Sequence, residues 1–207
     1  MSGPMAGDPL QWAEGALRRY WSEDGLTDVV VGLFLVAYGW LFEQGQQHDA
    51  AWAKVLLVAL VLVVALRMRA VIHALKMRWV YPRAGYARPR ALPRETRLKR
   101  SVWVLAAALL VVGLLIALDL PARVVCGLTG ALMTFLWAWI GWRNGTARHF
   151  FLAAVSGGWV LWHLLQPGVV CDLVALFILT GLLEIALGLF AFGRFLRKYP
   201  QAQGGAP

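Results

Sequence analysis

Cysteine is scarce: the 207 residues contain two, Cys126 and Cys171, and no Cys-x-x-Cys spacing in which a dithiol redox pair would sit. Also missing are a phosphate-binding loop, a metal-binding helix motif and a nucleophile elbow. No catalytic residue, metal site or cofactor is therefore expected, and of the enzyme classes only a lipid-modifying one without a motif stays open. Acids are few as well. Eleven Asp and Glu stand against twenty Lys and Arg, a formal net charge of +9. The basic residues lie beside long apolar runs, where anionic lipid headgroups are the simpler partner, so nucleic acid is not expected to bind. Residues 1–25 lack the apolar core of a cleavable signal. Their Leu10, Ala13, Leu17 and Trp21 instead recur at helical spacing among Glu14, Arg18 and Arg19, which predicts an amphipathic helix on the membrane surface, capped by Asp8 with Pro9 in its first turn.

What the chain has in abundance is apolar side chains. Hydrophobic residues make up 60% of it and mean hydropathy is +0.63, whereas soluble domains are usually about 45–50% apolar. The class is an integral membrane protein. A span needs roughly 17–25 mostly apolar residues, and six stretches meet or approach that: Leu26–Phe42, Ala51–Leu66, Ser101–Leu118, Ala122–Trp142, His149–Leu165 and Val169–Phe192. The expected fold is all-α, a polytopic bundle of six transmembrane helices arranged as three helical hairpins. Residues 1–25 form the amphipathic segment and 26–66 the first hairpin. A basic helix and Pro-containing loop follow at 67–100, then hairpins at 101–142 and 143–195 and a tail at 196–207.

The basic segment sets the orientation. Eleven of the twenty Lys and Arg lie between Arg67 and Arg100, against one acid, Glu95. Short loops rich in Lys and Arg stay in the cytoplasm, so this loop and both termini are expected there. Arg143, Arg148, Arg194, Arg197 and Lys198 fall on the same side, and only Lys54 and Arg123 near the other, where Glu43, Asp49, Asp119 and Asp172 collect. The second span is expected to continue as a helix beyond the membrane until Pro82 stops it, carrying Arg67, Arg69, Lys76 and Arg78 toward Arg83 as a surface for anionic lipid or a partner.

An internal repeat links the last two hairpins: Val124-Val125-Cys126-Gly127-Leu128 recurs as Val169-Val170-Cys171-Asp172-Leu173, with Gly113 matching Gly158. Cys126 and Cys171 thus hold equivalent places, open either to a disulfide in an oxidising compartment or to simple inheritance of small residues. The last hairpin, with Leu164-Leu165-Gln166-Pro167-Gly168 and Leu179-Thr180-Gly181-Leu182-Leu183-Glu184-Ile185-Ala186, is similar to the hairpin repeat of the HdeD-type acid-resistance membrane proteins of bacteria. Tyr20-Trp21-Ser22, Tyr81-Pro82-Arg83-Ala84-Gly85-Tyr86 and Phe195-Leu196-Arg197-Lys198-Tyr199-Pro200 resemble landmarks of a group of uncharacterised bacterial six-helix inner-membrane proteins. These resemblances imply a bacterial cytoplasmic membrane and a non-enzymatic role.

The sharpest single residue is Glu184. Its position in the last span places it near the bilayer midplane, where a carboxyl is costly and must face protein or water. Thr180, Gly181 and Gly188 share its face. It reads either as the cation- or proton-handling group of a small transporter or channel, or as a buried acid that fixes packing by bonding Thr180, an indole or a carbonyl. No second charged residue is expected at its depth. Asp28 begins the first span, where the helix dipole and the basic loop suit a carboxylate. Among the histidines only His73 and His149 could share a depth for ligation, and no spacing supports that. Gly127 and Gly130, Gly157 and Gly158, and Gly181 and Gly188 mark faces for close helix packing. The leading expectation is action by self-association, by anionic lipid or by a membrane-protein partner, with transport through Glu184 the alternative.

Overall fold

The computed structural model describes residues 23–48, 50–84, 121–166 and 172–200. Every regular element among them is a helix: α1 (Leu26–Gln47), α2 (Ala51–Trp79), the single turn α3 (Tyr81–Ala84), α4 (Ala122–Asn144), α5 (Ala147–Leu165) and α6 (Leu173–Lys198). Local chemistry sets their ends. Asp172 caps α6 by accepting the Ala175 amide at 3.0 Å. Gly145, at φ 65°, closes α4 in the left-handed conformation that costs glycine least. As expected, α2 runs on past Leu66, ending at Trp79 just before Pro82. The expected N-terminal amphipathic helix, the span at 101–118, most of the basic loop, Cys171 and the end of the tail lie outside the described residues.

Four described helices are long and apolar enough to cross a membrane, rather than six: α1, α2, α4 and α6. The chain is a helical bundle of membrane-protein type. Helix α5, expected to span, has 19 residues and carries Arg148, His149 and His163. Its polarity has a place to go, because His149, Ser156 and His163 are all turned into the protein. Helix α2 shows the opposite pattern. Val55, Val58, Leu62 and Leu66 are exposed along it, a surface that suits hydrocarbon better than water.

The first expected hairpin packs together, the second includes residues outside the described ones, and the last does not close on itself. Helix α6 lies chiefly against α1, α4 against α5, and α2 on α1, whereas the sequence neighbours α5 and α6 touch only sparsely. Small residues explain the choice. Gly32 and Gly181 face each other closely enough that a Cβ on either would meet the other's carbonyl oxygen at 2.6–2.8 Å. At the second interface Thr134 and Ser156 approach to 3.3 Å beside Gly130 and Gly157. The two pairs join through a core of Leu35, Met133, Trp137, Leu152, Val160 and Leu176.

One end of the bundle gathers the start of α1, the end of α2, the end of α4, the start of α5 and the end of α6. Val80, Tyr81 and Phe195 pack together there beside Leu26, and Lys198 reaches Glu23 at 2.6 Å. Arg78, Arg83, Arg143, Arg194 and Arg197 therefore share that end, while Lys54 and Arg123 begin helices at the other.

Candidate functional site

Helices α1 and α6 run antiparallel with a register fixed by glycine. Gly25 meets Gly188, Gly32 meets Gly181, and Gly39 meets Phe177 and Ile178. A seven-residue step nearly completes two helical turns, so these glycines stay on one face and the backbones can approach over its whole length. Midway between the glycine pairs stand the carboxyls: Asp28 is three residues past Gly25, and Glu184 three past Gly181. The segments around them match. Gly25-Leu26-Thr27-Asp28-Val29-Val30-Val31-Gly32-Leu33-Phe34 reads against Gly181-Leu182-Leu183-Glu184-Ile185-Ala186-Leu187-Gly188-Leu189-Phe190, with five letters identical and the acid kept. Because the helices are antiparallel, the two copies are related by a local pseudo-two-fold axis, and the acids lie about it.

Helix α5 breaks this symmetry. Its first turn brings Arg148 Nε to 2.6 Å from Asp28 Oδ2 and His149 Nε2 to 3.7 Å from Asp28 Oδ1 and 3.8 Å from Glu184 Oε1. The other ring nitrogen, Nδ1, is 2.6 Å from Thr146 Oγ1, a contact that fixes the ring's direction. The indole of Trp137 packs against the ring from α4, centroids 5.9 Å apart. Asp28, His149 and Glu184 are 4%, 3% and 1% exposed, so water does not screen their charges. Glu184 Oε2 is buried without a hydrogen-bond partner.

A second pair lies one turn nearer the basic end. Lys76 Nζ is 2.7 Å from Asp24 Oδ2, both side chains essentially inaccessible. Asp24 Oδ1 also accepts the Leu26 amide at 3.0 Å. Burial raises the Asp24 carboxyl above its ordinary value, against the pull of Lys76. Taken together, three carboxylates (Asp24, Asp28 and Glu184) face two basic side chains (Lys76 and Arg148), of which Lys76 is paired with Asp24 and Arg148 with Asp28.

Several expectations change here. Glu184 lies midway along α6 and level with the first turns of α1 and α5, which is how it comes to meet Asp28 and His149. It also has charged company, contrary to the expectation of an isolated acid: Asp28 contributes an oxygen within 4.8 Å of it. Thr180 is no partner to it, because its hydroxyl donates to its own helix at the Leu176 carbonyl, 2.6 Å away. Asp28 is served by Arg148, while the basic segment's Lys76 goes to Asp24. His73 is exposed and turned to Tyr81, and does not join His149. Most of the glycine faces are spent within the chain: Gly181 and Gly188 on α1, Gly127 on Leu164, Gly130 on Val160, and Gly157 on Thr134, with Gly158 alone of the six in open space. Arg67, Arg69 and Arg78 are exposed on α2 and Arg83 half-buried. Cys126 is buried and disulfide-bonded, and Cys171 lies outside the described residues.

Asp24, Arg148 and His149 are the residues that inspection of single spans misses. The signal for the α1–α6 half was present in the matched ten-residue segments; nothing in the spacing of α5 announces its contribution. The chain was compared with known protein families, with curated proteins and with solved structures, and none matches it.

Proposed function

We propose that this is a small multi-pass membrane protein that passes a cation through the cluster of Asp28, His149 and Glu184. The observation that carries the reading is Glu184 itself: a fully buried carboxyl with an unpartnered oxygen, facing a second carboxyl across two antiparallel copies of one segment. Ionisable groups buried among apolar helices are costly to keep and mark ion pathways more often than packing sites. Inverted repeats with the ion site at their junction are a common plan among secondary transporters.

The proposal extends to placement. The basic end faces the cytoplasm of a bacterial inner membrane, both termini lie there, and the bundle is completed by the span at 101–118 and by α5. The cluster then lies about one helical turn inside the cytoplasmic boundary. Binding of anionic lipid or of a partner is the second reading, and the exposed guanidinium groups of Arg67, Arg69 and Arg78 favour it at the same end. Self-association has less to draw on, since most of its glycine faces are already occupied within one chain.

The test is flux. Purified protein in sealed vesicles, loaded with proton- and metal-sensitive dyes, should pass one of these cations, and Glu184→Gln should reduce the rate to that of empty vesicles while elution volume and helicity stay unchanged. A variant that conducts like the unaltered protein sinks the proposal.

A further inference from the structure

The distances around His149 point to one occupant. A hydrogen bond from an imidazole nitrogen to a carboxylate is about 2.7–3.2 Å long, and the separations of 3.7 and 3.8 Å from Nε2 to Asp28 Oδ1 and Glu184 Oε1 are beyond it. They are close to what a shared ion requires, since metal bonds of about 2.0–2.2 Å set neighbouring ligand atoms roughly 3.0–3.6 Å apart. Each Nε2–carboxylate separation needs to close by only a few tenths of an ångström, and side-chain torsions of Asp28 and Glu184, whose facing oxygens lie within 4.8 Å of each other, bring the third pair together. We infer that Asp28, His149 and Glu184 bind a divalent first-row transition-metal ion of the manganese-to-zinc series, one atom from each of α1, α5 and α6.

Several features fit that ion. One imidazole nitrogen with two carboxylate oxygens is a mixed donor set suited to Mn²⁺, Fe²⁺ or Zn²⁺ and poorer for alkali cations. Two carboxylates match its charge, and Arg148 holds the far oxygen of Asp28, so that Oδ1 is left toward the ion. Thr146 Oγ1 lies 2.6 Å from His149 Nδ1, so with the proton on Nδ1 the hydroxyl accepts it, the outer contact that orients a metal-bound imidazole and turns the Nε2 lone pair inward. The unpartnered Oε2 of Glu184 supplies either a second bond to the ion or the acceptor for a water on it. Three protein ligands leave coordination positions open, as exchange of the ion requires.

The inference rests on reading the cluster as a cation site and names the ion. It is tested on the full-length, tag-free protein in detergent, stripped with a chelator and titrated with Co²⁺ near neutral pH. A visible absorption band should grow to one equivalent per chain and be bleached by Zn²⁺. His149→Ala should abolish the band, and Thr146→Val should weaken binding by about tenfold or more. No band in the unaltered protein, with no Zn²⁺ retained after gel filtration, overturns the inference, and this needs no variant to fold. A band that persists in His149→Ala overturns it equally.

The two readings fail separately. Proton flux that depends on Glu184 in a protein that binds no Co²⁺ leaves the transport proposal standing and removes the metal. A His149-dependent Co²⁺ band beside unaltered flux in Glu184→Gln does the reverse.

Discussion

At the scale of the residue, the costs concentrate in buried charge. Lys76 and Asp24 are sealed against each other at 2.7 Å, and an ion pair taken from water returns little net stability while its disruption leaves an uncompensated charge. Lys76→Met alone should therefore destabilise the protein by about 3–5 kcal/mol. Adding Asp24→Asn, which keeps an acceptor for the Leu26 amide, should restore most of that loss. Unfolding in graded detergent mixtures measures both, and equal losses in the single and double variants would show that the pair is not what stabilises this end. Arg148 forms a second ion pair of this kind, 2.6 Å from Asp28 Oδ2.

At the scale of the element, helix choice of partner comes down to where backbones can approach. A methyl group at Gly181 would press on the Gly32 carbonyl and the Val36 amide, neither of which can move without shifting α1. Gly181→Ala should cost roughly 1–3 kcal/mol through overpacking. Gly158 has open space around it, and Gly158→Ala should instead stabilise α5 by about 0.5–1 kcal/mol through helix propensity. Opposite signs in the same unfolding assay are the result to look for; two losses of equal size would place Gly158 in a contact. The bond between Thr134 and Ser156 is a smaller contribution, on the order of 0.6 kcal/mol for one interhelical hydrogen bond among membrane helices.

At the scale of the whole molecule, the ends of the helices sort by charge. Arginine and lysine crowd the end where α1 and α5 start and α2 and α6 finish. A fluorescent protein fused after Pro207 should light up in the cytoplasm, and alkaline phosphatase placed in the turn between α1 and α2 should be active outside. An active phosphatase at the C-terminus would invert the bundle and turn the basic end outward.

Much of the architecture was legible from composition and periodicity. Hydrocarbon has no hydrogen-bonding partner for the backbone, so long apolar runs between charged ends are committed to helices whatever surrounds them. Helices α1, α2, α4 and α6 were each marked in this way, and the extension of α2 past Leu66 to Trp79 was marked by the apolar face it keeps up to the stop at Pro82. Helix α5 is marked less clearly by that rule, because Arg148 and His149 lower its hydropathy while facing protein. Glu184 was found because a lone acid in an apolar run is conspicuous. Its setting was not, since depth read along one helix ignores where the neighbouring helices begin.

The sequence alone determined that the chain is helical, that lipid suits its surface, that Glu184 is out of place, and that one end is basic, because these follow from the free energy of single residues and single turns. Only the tertiary structure decided that Glu184 meets Asp28 and His149, because that depends on the stagger of α1 against α6 and on the choice of α5 as third wall. Glycine pairs seven residues apart set the stagger, and no property of one helix by itself contains it.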